Sequence, residues 1–459
     1  MIEQKWSLFF LGILIIWAVI LYFTLSATVG SMEILVDEDY DITAISIVFL
    51  GIILFYYSFQ IFIFITYLFT FDKIVSNQEK AIAKSKLKKK TSNEVDSLQN
   101  DVCSIIIPVH NEENIIKRTV LNSLRQTYSN IEILVVSHNC SDNTANNFPL
   151  SDPRVKSLVL TTPDAGKGLA LNHGVKHARG KYILIIDGDA ILENSFIEKS
   201  LPLFENQPNV AAIQGRYFSS NRNYNIITKL LSLESDLWSV PFMTIRTFFG
   251  KKCPLGGTGL IIKRDVLIKV GFFENHLVDD YELSFRLIKN NFKILFAPLS
   301  ICYDEKPPSV RVMINQRSRW FKGFVNLLTH NITNSKDILG VIHWLMPVSI
   351  FAGLGLFIIF TISAIHNLVF QYYPFTFTYI PVLPWAILMV LVISLQCITL
   401  TKQYGPTGLR FSMWIPVYML FSNYWLVVSI KSFFVTTWKT NKTMHGYIGQ
   451  KDLNLIIEN

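Results

Sequence analysis

Charge is what this chain has least of. Only 17% of its 459 residues are Asp, Glu, Lys or Arg, against about 25% in an ordinary soluble domain. The shortage is concentrated. No charged residue lies between Lys5 and Glu33, between Asp41 and Asp72, from Ile338 to Thr401, or from Phe411 to Ile430. A membrane-spanning helix needs about 20 such residues, so a chain soluble throughout is excluded. The first two runs predict one span each. The third predicts two, broken near Asn367 to Pro374, and the fourth one more. The first run is too long for a signal-peptide core and lacks a convincing cleavage site, so it reads as an anchor. Cysteine is also scarce: Cys103, Cys140, Cys253, Cys302 and Cys397 are scattered without a CxxC pair, which predicts reduced thiols in a cytoplasmic domain. No internal repeat and no nucleic-acid-binding module is present. The glycine-rich CPLGGTG, residues 253–259, lacks the GK[ST] of a Walker motif.

The charges that remain set an orientation. Glu33, Asp37, Glu38, Asp39 and Asp41 follow the first span, whereas Lys84, Lys86, Lys88, Lys89 and Lys90 follow the second. Basic segments stay on the cytoplasmic side. The N-terminus and everything from Asp72 to about Asp337 are therefore expected in the cytoplasm, in a protein integral to the cell membrane. Five spans would leave Lys431, Lys439 and Lys442 outside, so the last run reads as spanning, interfacial or re-entrant. The net charge of +8 fits positive-inside anchoring, and the Lys84–Lys90 cluster suits anionic lipid. The expected segments are 1–72 with two spans, a basic linker at 73–100, a folded domain at 101–308, an interfacial helix at 309–337, about three spanning or interfacial helices at 338–438, and a tail at 439–459.

The middle of the chain alternates strand and helix signals. Strands are expected at Cys103–Val109, Ile131–Val136, Val155–Leu160 and Tyr182–Ile186. Helices are expected at Asn111–Gln126, with Ile115, Ile116, Val120, Leu121 and Leu124 on one face, and at Lys167–Ala178. Alternation of this kind means an α/β domain with a mostly parallel sheet, whose ligands sit beyond the carboxyl ends of the strands. After the first strand comes PVHNEE, after the second SHNCSDNT with Asp142, and after the fourth DGD. Asp187 and Asp189, two apart at a strand end, project to one side. Two carboxylates so placed repel unless a cation or proton lies between them, and short hard acids suit Mg2+ or Mn2+ carried by phosphates. An exposed Asp-Gly turn is the plainer alternative. VDDYELSFRL opens a helix with Asp279, Asp280 and Glu282. Helix capping accounts for them, and so does a general base.

The stretch QRSRW, Gln316 to Trp320, precedes the longest uncharged run. On a helix Gln316, Arg319 and Trp320 share a face. A helix lying among lipid headgroups would explain it alone.

Taken together, PVHNEE, SDNT, GKGLALNHGVKHARG, DGD, GGTG, DDYELSFRL and QRSRW, in this order over roughly Ser104 to Gly323, resemble the membrane-embedded family 2 glycosyltransferases. That group includes cellulose, chitin, hyaluronan and poly-N-acetylglucosamine synthases, and QRSRWFKG resembles its QxxRW signature. The resemblance implies a GT-A-type, Rossmann-like α/β cytoplasmic domain inserted between transmembrane helices, a nucleotide-diphosphate sugar donor, and Mg2+ or Mn2+. It implies that Asp189 binds the metal and Asp187 the donor diphosphate or ribose. Pro108 and Glu112 would lie by the nucleoside, and Lys167 would approach the nucleotide. Asp280 would be the general base, Arg319 would meet the pyrophosphate, and Gln316 and Trp320 would serve the acceptor. Ser137 and His138 stand where the family often has paired acids, so His138 would contact the base in place of a carboxylate. Val278-Asp279 departs more mildly. The implied reaction is an inverting displacement that extends a glycan, with export across the membrane. Transfer of one sugar to a lipid or polyprenyl phosphate is the alternative, and a channel with a cytoplasmic domain a more distant one. Phe411, Trp414, Tyr418, Phe421 and Trp425, spaced by threes and fours, would form one helical stripe, either packing or a path for the glycan.

Overall fold

The computed structural model describes residues 40–91, 101–205, 207–331 and 382–434. The first expected span, most of the third uncharged run and the tail lie outside the described residues. The chain divides into two compact units, one of residues 1–68 and 339–429, the other of 69–338 and 430–459.

Helix α1 (Tyr40–Thr91) is 52 residues long. It does not stop where its apolar part ends. Residues 73–91, expected as linker, continue the helix, because Lys, Glu, Gln and Ala dominate there and neither Gly nor Pro interrupts them. Gln78 fixes this extension to the α/β unit. It is 1% exposed, donates to Lys199 O at 3.1 Å and Ser300 Oγ at 3.0 Å, and accepts from Leu299 N at 3.0 Å.

The α/β unit opens with β1 (Cys103–Val109), α2 (Ile116–Ser123), β2 (Ile131–His138), β3 (Val155–Leu160), α3 (Lys167–His177) and β4 (Tyr182–Ile185). It continues with β5 (Ile191–Leu192), α4 (Phe196–Ser200), β6 (Val210–Ser219), α5 (Ile226–Glu234), α6 (Val240–Gly250), β7 (Leu260–Lys263), α7 (Arg264–Lys269), α8 (Asp279–Lys289), β8 (Lys293–Asp304) and α9 (Val310–Asn331). The strands form one sheet in the order β3-β2-β1-β4-β7-β6-β8-β5. The first four are parallel, with Ile106 opposite both Leu134 and Ile185. β7 runs antiparallel to β4 and β6, and β8 runs parallel to β6. Every residue of β1 and β2 is buried. That is the burial of a strand covered on both faces, and it explains the unbroken apolar runs.

The strand order turns back between β1 and β4. β2 and β3 lie on one side of β1 and β4 lies on the other. Such a switch point opens a crevice beyond the strand ends, and PVHNEE and DGD both border it. Helix α2 starts at Ile116 rather than Asn111, because Asn111 takes a positive φ of 54°, which breaks helical geometry. Leu121, expected on its apolar face, is 41% exposed.

In the other unit, α10 (Val382–Tyr404) is followed by α11 (Pro406–Ser412), α12 (Ile415–Phe421) and α13 (Tyr424–Ser432). Among the described residues two helices are long and apolar enough to cross a membrane, in Gly51–Lys88 and Ile387–Tyr404. A third is added if Pro406–Ser412 and Ile415–Ser432, bent by 46°, make one span. The bend corrects the aromatic stripe. Pro416 enters at the start of α12, where its missing N–H is tolerated, and the line from Phe411 to Trp425 is not straight. Tyr418 and Trp425 are buried, at 3% and 8% exposure, as packing residues are.

Candidate active site

The DGD turn is built by its middle residue. A Cβ on Gly188 would lie 1.7 Å from Glu112 Oε2 and 2.8 Å from Val109 Cγ1, so only glycine lets the Glu112 carboxylate close over the turn. Thr119 Oγ1 donates to Gly188 O at 2.6 Å and Arg118 Nη2 to Asp189 O at 3.0 Å. Arg118 also pairs with Glu305 at 3.3 Å. Burial pushes the Glu305 carboxyl up to about 7; Arg118 opposes the shift and Asp189 and Asp304 add to it.

The glycine-rich segment 253–259 faces this turn and hangs on a buried glutamine. Gln214 Oε1 accepts from Gly256 N at 2.8 Å, and its Nε2 donates to Thr258 O at 3.0 Å. Thr258 Oγ1 in turn accepts from Asp187 N at 3.0 Å. Thus β6 sets the height of the GGTG backbone against the DGD turn. Gln214→Leu would take the side-chain partner from the half-buried Gly256 N–H and from the Thr258 C=O. A loss of about 2–4 kcal/mol is expected, read as a lower Tm together with weaker donor binding.

Three charged groups converge on Gly257. A Cβ there would meet Lys167 Nζ at 3.0 Å, Asp280 Oδ2 at 3.4 Å and Asp187 Oδ2 at 3.7 Å. Lys167, the first residue of α3, donates to Asp187 Oδ1 and to Gly257 O, each at 2.6 Å. Burial works against its ammonium, but Asp187, Asp279 and Asp280 outweigh burial and raise its pKa. Asp280 stands in the first turn of α8, its Oδ1 accepting from Tyr281 N at 2.7 Å. Burial first, and Asp279 second, push its carboxyl up to about 7 against the pull of Lys167. Asp279 is raised by burial as well. Arg319 on α9 completes the group. Burial lowers its pKa, and Asp279, Asp280 and Asp187 counter the shift; the guanidinium stays charged.

The shift on Asp280 has a consequence for stability. The folded carboxyl binds its proton more tightly than the unfolded one, at about 3.9. Between about pH 4 and 7 the folded state therefore holds more protons, and stability falls as pH rises. Asp280→Asn is expected to melt above the wild type at pH 8, with the difference vanishing near pH 4 in a thermal-melt series.

The loops after β1 and β2 are tied to each other. Asp142 accepts from Thr144 N at 3.1 Å and Glu113 N at 3.2 Å, and Thr144 Oγ1 accepts from Glu112 N at 2.8 Å. Asp142 therefore holds two loops together. His138, 6% exposed, shares a hydrogen bond with Thr162 Oγ1 at 2.9 Å, and burial lowers its pKa. Pro108 is buried within β1, opposite Val136. On α9, Gln316, Arg319 and Trp320 are half-buried, and Arg317 is buried.

The fold thus gathers Lys167, Asp187, Asp280 and Arg319, with Asp189 and Glu112 at the adjoining turn. Pro108 and His138 stay within their strands. Sequence reasoning missed Gln214, Thr258, Glu305 and Arg317. A single glutamine among apolar strand residues, VAAIQGRYFS, was the available signal for Gln214, and only burial gives it meaning.

Residues 101–323 match the family model described as "Glycosyltransferase like family 2". A probable glycosyltransferase, YdaM, of Bacillus subtilis is 28% identical over 228 residues, 48% of this chain and 54% of that protein. A poly-beta-1,6-N-acetyl-D-glucosamine synthase of Staphylococcus aureus is 25% identical over 239 residues, 52% of this chain and 57% of that one. The chain spans about half the length of the curated relatives it matches. Among solved structures, the mannosyltransferase PcManGT from Pyrobaculum calidifontis, in complex with GDP-Man and Mn2+, aligns at 15% identity and a TM-score of 0.44, covering 76% of this chain and 99% of that one. Over residues 101–323, from β1 across DGD and into α9, the α/β unit is similar to the glycosyltransferase family 2 domain.

Proposed function

We propose that the chain is an inverting glycosyltransferase, integral to the cell membrane. It moves a hexose or N-acetylhexosamine from a nucleotide-diphosphate sugar to a growing polysaccharide. The observation that carries this is the convergence of Lys167, Asp187 and Asp280 on Gly257, with Arg319 coupled to the same acids. A base, a pair of cations and a carboxylate that can orient a donor stand together in the crevice where α/β ligands bind.

Asp280 takes the proton of an acceptor hydroxyl. The freed oxygen bonds to the anomeric carbon as the bond to the diphosphate breaks on the opposite side, through an oxocarbenium-like state. Arg319 and Lys167 stabilise the charge that develops on the leaving diphosphate. Lys167 is held by Asp187 and Gly257 O, and a donor phosphate would compete for its ammonium. Asp187 orients the diphosphate or ribose. Pro108, Glu112 and His138 flank the nucleoside, and Gln316 and Trp320 meet the acceptor.

A divalent ion fits at Asp189. Its half-buried carboxylate makes no side-chain hydrogen bond or ion pair among the described residues. Nor do three or more His, Cys, Asp or Glu among those residues converge as ligands. A hard ion that keeps few protein ligands and takes the rest from substrate phosphates suits such a place. When bound, Mg2+ or Mn2+ would supply Lewis-acid neutralisation of the diphosphate.

Polymer growth is favoured over transfer of one sugar to a lipid by the relative named as a polysaccharide synthase; export of the product is part of the proposal and rests on the flanking apolar helices. Sizing the product made from a panel of UDP- and GDP-sugars tests this. A long glycan with inverted linkages supports it. One sugar on a lipid supports the alternative, and no transfer from any donor rejects both.

A further inference from the structure

QRSRW carries two arginines, and only Arg319 faces the acids of the site. Arg317 turns the other way. Its guanidinium lies 4.4 Å from the centre of the Trp320 ring, three residues on along α9, where side chains sit one above the other. Its Nη2 reaches Glu234 Oε2 at 3.3 Å, at the end of α5. Arg317 is 7% exposed. It therefore does not reach toward lipid headgroups; α5 and the indole hold it. Trp320 remains half-buried, with one face covered by the guanidinium.

We propose that Arg317 is a positioning residue that clamps Trp320, through Glu234, into a one-faced platform for an uncharged sugar ring of the acceptor. This rests on the reading that the acceptor meets Trp320. An indole free to turn would have to be ordered at each binding event, and a pre-ordered one avoids that loss. A flat, apolar ring face suits the apolar side of a pyranose. The arginine that lies against the ring, Arg317, is already engaged by Glu234, so the indole face itself is what an acceptor meets there. The platform is therefore a poor seat for a phosphate and a good one for a neutral sugar.

The test uses the full chain in detergent micelles. Arg317→Lys keeps the charge opposite Glu234 and loses the planar stack; Arg317→Met loses both. Chitotetraose and cellotetraose serve as acceptors, with a polyprenyl phosphate as the rival. Arg317→Lys is expected to leave acceptor-free release of nucleotide diphosphate unchanged and to raise the acceptor KM about threefold to tenfold, with kcat little altered. The 19F resonance of 5-fluorotryptophan at Trp320, assigned by Trp320→Phe, should be a single sharp line in the wild type and broad in the variant. Arg317→Met should do the same or more, and if it fails to fold, Arg317→Lys decides. A wild-type acceptor KM together with an unchanged Trp320 line in Arg317→Lys would overturn the clamp. Transfer to the polyprenyl phosphate in preference to both sugars would overturn the neutral acceptor. If no donor yields any transfer, the proposed function fails; the 19F line still reports whether Arg317 holds the indole.

Discussion

Asp280→Asn is expected to lower kcat by about 10²–10⁴, the usual loss when a general base is removed, while donor affinity stays near the wild type. The substitution keeps shape and takes away the proton acceptor. The expectation follows from where the carboxyl stands. It opens α8 beside Gly257, in contact range of the same point as Lys167 and Asp187. Its pKa, pushed up to about 7 by burial and Asp279, lies close to working pH, where a base combines adequate strength with an adequate ionised fraction. Only the ionised form accepts a proton. The wild-type rate should therefore climb as pH rises through about 7 and level off above it, and the residual rate of Asp280→Asn should lack that limb. A variant that loses donor affinity but keeps its rate would assign Asp280 to donor binding instead. The same burial that tunes the base costs stability, so the inactive variant should be the more stable at high pH, an instance of the trade between stability and activity.

Asp189→Ala is expected to lower transfer by about 10²–10³, comparable to removing one stabiliser of transition-state charge. Chelation of divalent ions should lower wild-type activity similarly and add little to the loss in the variant. Asp189 differs from its neighbour Asp187 in one respect that matters here. Asp187 is held by Lys167 at 2.6 Å, whereas the Asp189 carboxylate has no such partner among the described residues. Asp187→Ala should accordingly leave Lys167 with Gly257 O but without its carboxylate partner, and disturb donor binding first. Full wild-type activity in excess chelator would remove the metal from the account and leave Lys167 and Arg319 to carry the diphosphate charge.

Local signals were strongest where burial is complete. The run CSIIIPV predicts β1 with the bounds observed, because a strand covered on both faces is apolar throughout. The acids after β4 and at the start of α8 could be picked out because each follows a strand or opens a helix, where side chains reach a crevice. What joins them was not legible. Lys167, Asp187 and Asp280 are brought together across β4 and β7 by an antiparallel pairing, Ile185 opposite Leu260, that no local pattern specifies. Gln214 was hidden because a buried glutamine and an exposed one look alike in a string of letters. The continuation of α1 past Phe71 was masked by its lysines, whose solvation suits a linker and a helix face equally, and a buried Gln78, an Ala81 against the core and a Lys88–Glu205 pair are docking contacts that no local pattern marks. The aromatic spacing from Phe411 to Trp425 obeyed a helical period, yet the chain bends within it. In QRSRW the spacing was legible as helical, as α9 is, but it gave no sign that Arg317 would be buried against Glu234 and Trp320.

The most direct measurement is release of nucleotide diphosphate by the purified chain across a panel of UDP- and GDP-sugars, with a carbohydrate acceptor, for wild type and Asp280→Asn side by side. The account predicts acceptor-dependent release with at least one donor, rising through about pH 7, and its near-abolition in Asp280→Asn with donor binding intact. Release that is equal in the two proteins, or absent with every donor, would contradict it.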